Sequence, residues 1–519
     1  MAVHGGVGGR GETGARLGNV MRFLSALIPC LALAQLAQPA QPGLAEAYRR
    51  NWAPRLQPLL SELIRFPTVA GNDEARSDQQ AWLLKVGKEL GFAVRPAGKV
   101  TEVELPGPAG SPVLGLVVHG DVQPVDDHWS IPPFEGAVKE GAILGRGAAD
   151  DKGPLVQALL AMRTLADSGL ARTHTVRLLV GSDEESDNLD FKEYLVDHQA
   201  PDLSLVLDSA FPVVVGEKAW VGYWLDAPLA SRGPAGGLEV IALDAGLSPS
   251  IVPDRATLTM RVPAGIDLEP LRTRLAAKPS PAGTRLEAHA GPDRTIAVTA
   301  FGRAAHGGIN LEVGRNALVA LARAMEGELP PGGADDLLAW IRLAGKDIHG
   351  SSLDLPGHPI FGPTTVNPAT LKRQENGSYR LFINLRANPT LGIAALRAHL
   401  DAKVEAYNAT HGAKLLAGGW FEDEVLAFDP NGKLVRRLLA AYGRATGRTD
   451  PPAISGGGTY AKRIPNAIAF GAWFPGKPYP GHDVDEKVEL TDLHLGVAVL
   501  LEALADLACG APLKEPFKP

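Results

Sequence analysis

The stretch GSDEESDNLD at 181–190 follows directly on the apolar run TVRLLV, so a segment suited to a core ends in carboxylates that repel one another. Such a cluster calls for a positive partner. Other apolar runs stop in the same way: Val113 to Val118 at His119, Leu203 to Leu207 at Asp208, and Ile468 to Phe474 shortly before His482. His119-Gly120-Asp121 places an imidazole two residues from a carboxylate that can support the ring's second nitrogen. GRGAADDKGP sets Asp150 and Asp151 in a glycine-framed loop, where one carboxylate can bridge two cations. Glu184 and Glu185, read as neighbours in an extended segment, point opposite ways, so one can ligate a metal while the other faces a bound water.

Singly, each has a bland explanation: a hydrogen-bonded strand-end histidine, an aspartate helix cap, a solvated acidic loop. Together, His, Asp, Glu, Asp and His at the ends of separate runs point to two divalent cations about 3.5 to 4 Å apart, which neutralise the cluster and generate a nucleophile at neutral pH.

The elements must bring these ends to one place. From about Ala45 to Trp220 helical patterns alternate with short apolar runs, which predicts a parallel α/β sheet with crossover helices and a ligand crevice beyond the strands' carboxyl ends. PLVQALLAMRTLADSG predicts a helix with Pro154 in its first turn and Gly169 past its end, so Asp150 and Asp151 lie just before a helix N-terminus. From about Gly222 to Gly418 alternating segments such as ATLTMRV predict an inserted α+β domain. The α/β texture returns near Trp420 and ends in the helix TDLHLGVAVLLEALADLACG, with Thr491 as N-cap and Gly510 just past the end. The expected organisation is an N-terminal extension with a signal peptide over 1–44, a catalytic domain over 45–221 and 419–519, and a lid over 222–418.

A chain of 519 residues with 45% hydrophobic content can bury more than one core. A net charge of -7, without a basic block interleaved with aromatics, argues against nucleic acid as a partner. Residues 21–34, MRFLSALIPCLALA, read as a secretory signal peptide with translation starting at Met1 or Met21, and hence as a periplasmic or secreted protein. That stretch is too short to span a bilayer, and nothing else predicts membrane embedding. The two cysteines, Cys30 and Cys509, make no disulfide framework.

HGDVQP, GRGAADDKGP, GSDEES, LVLDSAFPVVVGEK, AAHGG, SGGGTY and PGHDVDE, in this order, resemble the M20 family of dinuclear zinc peptidases, in particular its PepV-like dipeptidases. The resemblance implies an α/β catalytic domain, with a mixed sheet flanked by helices, and an inserted α+β lid domain. It implies that His119, Asp150, Glu185, Asp208 and His482 bind two Zn²⁺ per subunit, with Mn²⁺ or Co²⁺ as substitutes and Asp150 as the bridge. It further implies Glu184 as the general base acting on a metal-bridging water, Asp121 as the residue behind His119, and a cis peptide before Asp151. His306 of GRAAHGG resembles a lid histidine that steadies the oxyanion. Arg386 of INLRANP resembles the arginine that holds a substrate carboxylate, with Gly457, Gly458 and Tyr460 beside it. Asn384 stands where the family pattern has Asp, and Asp187-Asn188 replaces a Gly. The long insert implies that one chain completes its own site, so a monomer is expected, with a homodimer as the alternative.

The function expected from these motifs is hydrolysis of dipeptides or short peptides. An N-acyl amino acid amidohydrolase shares every metal motif and is the alternative. A noncatalytic peptide-binding protein on the same scaffold is a third reading, against which Glu184 argues.

Overall fold

The computed structural model describes residues 43–125, 128–186, 188–228 and 237–513. The signal segment expected at 21–34 lies outside the described residues. No helix among them is long and apolar enough to cross a membrane.

Four parallel strands form the heart of the first sheet, in the spatial order Thr175–Gly181, Val113–His119, Leu203–Val206 and Ala467–Ala469. Antiparallel strands extend both sides: Val100–Leu105 and Ala93–Ala97 on one, Val214–Glu217 and Leu426–Ala427 on the other. The sheet is therefore mixed, not purely parallel as the 45–220 pattern alone suggests: a tight hairpin adds Ala93–Ala97 to Val100–Leu105, and Leu426–Ala427 returns from beyond the inserted segment to pair with Val214–Glu217. Val113–His119 is buried beyond its first residue, which explains its unbroken apolar run: both faces of a central parallel strand are covered.

The helix Lys152–Asp167 packs on Val113–His119, on Thr175–Gly181 and on the C-terminal helix Leu490–Cys509. Enclosed in this way it buries more than one stripe, and Leu155, Val156, Leu159, Leu160 and Met162 are all fully buried. Truncating one of these leucines to alanine costs about 2–5 kcal/mol. The C-terminal helix starts at Leu490 with Glu489 as its cap residue, so Thr491 is not the N-cap. The reason is the preceding strand: Lys487–Glu489 pairs with Ala142–Leu144, and the Leu490 amide is bonded to Gly141, which fixes the turn into the helix two residues earlier.

The second sheet is antiparallel and eight-stranded, in the order Arg285–Gly291, Thr295–Phe301, Arg255–Arg261, Glu239–Ala245, Thr365–Arg373, Tyr379–Ala387, Ala219–Ala227, Leu416–Glu422. Alternation is clean in Arg255–Arg261, where Ala256, Leu258 and Met260 point inward and the residues between them do not. Leu271, Trp340 and Leu400, from three different helices, join this second core, which is separate from the core of the first sheet. Gly308 from the inserted segment meets Gly456 so closely that a Cβ on either would come within 2.4 Å of the other's carbonyl oxygen, so neither position admits a side chain.

Candidate active site

The parallel register aligns the carboxyl ends that carry the chemistry: His119 pairs with Gly181, and Val117 with Val206 two residues before Asp208. Asp150 enters from the loop before Lys152–Asp167, across an Asp150–Asp151 peptide that is cis, as the resemblance implied. His482 enters from the loop after Ala472–Trp473.

These ends meet. His119 Nε2 lies 2.9 Å from Asp150 Oδ1 and 3.8 Å from Asp208 Oδ2. His482 Nε2 lies 3.2 Å from Asp150 Oδ2 and 2.9 Å from Glu185 Oε1. One carboxylate thus faces a different imidazole with each oxygen. Donor atoms of His119, Asp150 and Glu185, and likewise of His119, Glu184 and Asp208, all lie within 4.8 Å of one another.

The donor set fits metal ions. His119 Nδ1 is 2.9 Å from the Asp121 carbonyl oxygen, which only accepts, so Nδ1 carries a ring proton and Nε2 is the atom turned toward the carboxylates; burial works against a charged ring, but the hydrogen bond to Asp150 and the charges of Asp208 and Asp150 outweigh it and raise the ring well above its ordinary value. An imidazole nitrogen and a carboxylate oxygen 2.9 Å apart need a cation or a proton between them. The charge balance agrees: burial, then neighbouring carboxylates, pushes Asp208 well above the carboxylate range, and burial, with Glu185 and Asp121 adding to it, does the same to Glu184. Burial works against a charged His482, but Glu185 and the hydrogen bonds to Asp150 and Glu185 outweigh it and raise the ring to about 10.

Asp121 stands behind His119 differently from the spacing argument. Its carbonyl supports the ring, while its carboxylate, 3.7 Å from Nδ1, accepts the amides of Glu184 at 3.1 Å and Glu185 at 2.9 Å. Those two glutamates sit in a turn, not an extended segment, because Asp121 gathers their amides on one side. Asp151 holds the N-cap position of the helix, but its side chain does not cap it; the carboxylate accepts the His119 amide at 3.1 Å instead.

His306 belongs to the inserted segment, yet its ring centroid is 4.6 Å from that of His482. Its Nδ1 accepts the amides of Gly308 at 3.0 Å and Ile309 at 2.8 Å, so the neutral ring carries its proton on Nε2. Burial, and then the positive His482 and Arg386, keep it neutral. Arg386, on the strand Tyr379–Ala387, opens into the same cavity as Glu184, Asp208 and His306. Asn384 Oδ1 accepts from its Nε at 3.2 Å, which holds the guanidinium without neutralising it. Gly457 and Gly458 line the cavity as well. Tyr460 does not: it is fully buried with its hydroxyl bonded to Asp190, because the turn after Thr459 carries it under the site and not into it.

A model of peptidase family M20/M25/M40 matches residues 115–506. The chain belongs to this family. YtjP of Bacillus subtilis is 28% identical to this M20 peptidase over 437 residues, 82% of this chain and 89% of the relative. The Beta-Ala-Xaa dipeptidase of Lactobacillus delbrueckii subsp. lactis is 27% identical over 411 residues, 77% of this chain and 83% of the relative. Human carnosine dipeptidase 1 shares the fold at a TM-score of 0.54 with 12% identity, covering 90% of this chain and 99% of that one. The di-peptidase Dug1p from Saccharomyces cerevisiae does so at 0.53 with 13% identity, covering 89% and 97%.

Sequence reasoning passed over three residues that hold this M20 site together. Glu486, 1% exposed, accepts the amides of Ala149 at 2.9 Å and Asp150 at 3.2 Å on one oxygen, and Gly147 N with Arg146 Nη1 on the other. Arg146 also reaches the Asp483 carbonyl at 3.3 Å, so the two link the Asp150 loop to the His482 loop. Gln123 donates to Glu185 Oε2 at 2.7 Å. All three lie inside the motifs HGDVQP, GRGAADDKGP and PGHDVDE, which is the signal that marks them.

Proposed function

We propose that this chain is an exported, periplasmic or secreted, dizinc dipeptidase acting as a monomer, with residues 222–418 as its lid. One observation carries it: the two Asp150 oxygens face different imidazoles, in a cavity that also exposes Arg386. His119, Asp150 and Asp208 would hold one ion, and Asp150, Glu185 and His482 the other; imidazole and carboxylate donors suit Zn²⁺, with Mn²⁺ or Co²⁺ as substitutes. Bound there, the ions would supply Lewis-acid polarisation of the peptide carbonyl and a water acidic enough to be deprotonated at neutral pH.

Glu184 rather than Glu185 is the general base. Glu185 is held by His482 and Gln123, whereas no described residue donates to the Glu184 carboxylate, which leaves it free to take a proton from the attacking water and pass it to the leaving amine. His306 Nε2–H donates to the carbonyl oxygen as charge develops on it. Arg386 receives the substrate's C-terminal carboxylate through a planar guanidinium. A carboxylate anchored near the hydrolytic centre favours short substrates, in keeping with the dipeptidase name of the Lactobacillus relative. His306 and the acidic cluster come from one chain, which supports a monomer.

The test is hydrolysis of a dipeptide panel and an N-acyl amino acid panel by metal-stripped protein, with Zn²⁺, Mn²⁺ or Co²⁺ restored in turn. Dipeptides are expected to turn over faster; preference for the acylated set would establish the amidohydrolase instead. A Glu184→Gln variant that bound metal yet kept full activity would refute the assigned base.

A further inference from the structure

The segment Pro478-Tyr479-Pro480-Gly481-His482 brings two side chains to one oxygen. The Tyr479 hydroxyl donates to Asp150 Oδ2, the same atom that lies 3.2 Å from His482 Nε2. Tyr479 is 8% exposed, lines the cavity, and is fixed from several sides. Its ring lies 4.6 Å from that of Trp473, its carbonyl accepts from Asn310 Nδ2 at 3.3 Å, and prolines on both sides restrict the backbone. Gly481 makes room for it: a Cβ there would come within 2.3 Å of the Tyr479 hydroxyl and 3.0 Å of Asp150 Oδ2.

Each oxygen of a carboxylate has two acceptor sites. A carboxylate that serves two cations uses one site on each oxygen and remains free to rock about its own axis unless something engages a remaining site. We infer that Tyr479 is a positioning residue for the metal pair, its hydroxyl taking the spare acceptor site of Asp150 Oδ2 and holding that carboxylate square to His119 and His482. The inference rests on the dizinc reading above. Partners of ligating groups typically govern affinity by about 10- to 100-fold.

Tyr479→Phe removes the hydroxyl and leaves the ring. Metal-stripped wild type and variant are titrated with Zn²⁺ against a chromophoric chelator, and their metal-free melting temperatures are compared. Both proteins are expected to bind two ions, the variant with at least one site weakened about 10-fold or more, while the metal-free melting temperatures coincide. A wild type that binds fewer than two ions would overturn the metal reading itself, whatever the variant does. Two ions bound with equal affinity by both proteins would overturn the role of Tyr479 alone, as would an affinity loss matched by a lower metal-free melting temperature. A lower kcat with unchanged Zn²⁺ affinity would overturn it too, since the hydroxyl would then act on substrate.

Discussion

The Asp150 amide donates to the buried Glu486 carboxylate at 3.2 Å, so the residue whose side chain faces both imidazoles is anchored through its own backbone by a second carboxylate. Removing that anchor leaves Arg146 buried without its partner and three loop amides unsatisfied. Glu486→Ala is expected to cost about 3–5 kcal/mol, read as a lower denaturation midpoint, and to lower metal content with it. Wild-type stability in the variant would show that the loop holds itself.

His306 has only its Nε2 proton to offer a substrate, because Nδ1 is occupied by two amides. His306→Ala is expected to lower kcat by about 10²–10³ with metal content unchanged, the weight of one oxyanion donor. A change in KM alone would place the histidine in ground-state binding.

Arg386 is positioned by the Asn384 amide oxygen and keeps its full charge for a ligand, although burial lowers its pKa to about 10. Arg386→Lys is expected to raise KM for free dipeptides by about 10- to 100-fold while leaving C-terminally amidated dipeptides nearly unaffected. Equal effects on both substrate sets would remove the carboxylate from its assignment.

Glu217 is fully buried, and its carboxylate accepts the Thr459 amide at 3.1 Å and hydroxyl at 2.8 Å. Burial raises it to about 7. The folded state therefore holds this proton where the unfolded chain has released it, so its contribution to stability falls as pH rises from about 4.5 through 7, by about 3 kcal/mol at most. Glu217→Gln cannot titrate and is expected to gain on wild type across that window, as chemical denaturation at pH 5 and pH 8 would show. A constant difference between the two proteins would contradict the buried titration.

Much of this was legible in the residues because polar groups at the ends of apolar runs are costly unless they serve something. His119, Glu184 and Asp208 stood out for that reason, and the parallel register then brought them together. What stayed hidden depends on backbone direction. Spacing alone does not tell whether the carbonyl or the carboxylate of Asp121 reaches His119, or that the glutamates form a turn. The family resemblance put Tyr460 beside the substrate carboxylate, but the turn sends it down to Asp190. Glu486 escaped notice since three of its partners are backbone amides and its one charged partner, Arg146, lies 340 residues away in the chain.

The most direct test is a crystal of the Zn²⁺-reconstituted protein measured at the zinc absorption edge, with Asp150→Ala alongside. Two anomalous peaks about 3.5 to 4 Å apart, on either side of the Asp150 carboxylate, are expected in the wild type, and loss of at least one in the variant. A single peak, or a pair that does not share Asp150, would contradict the dizinc account.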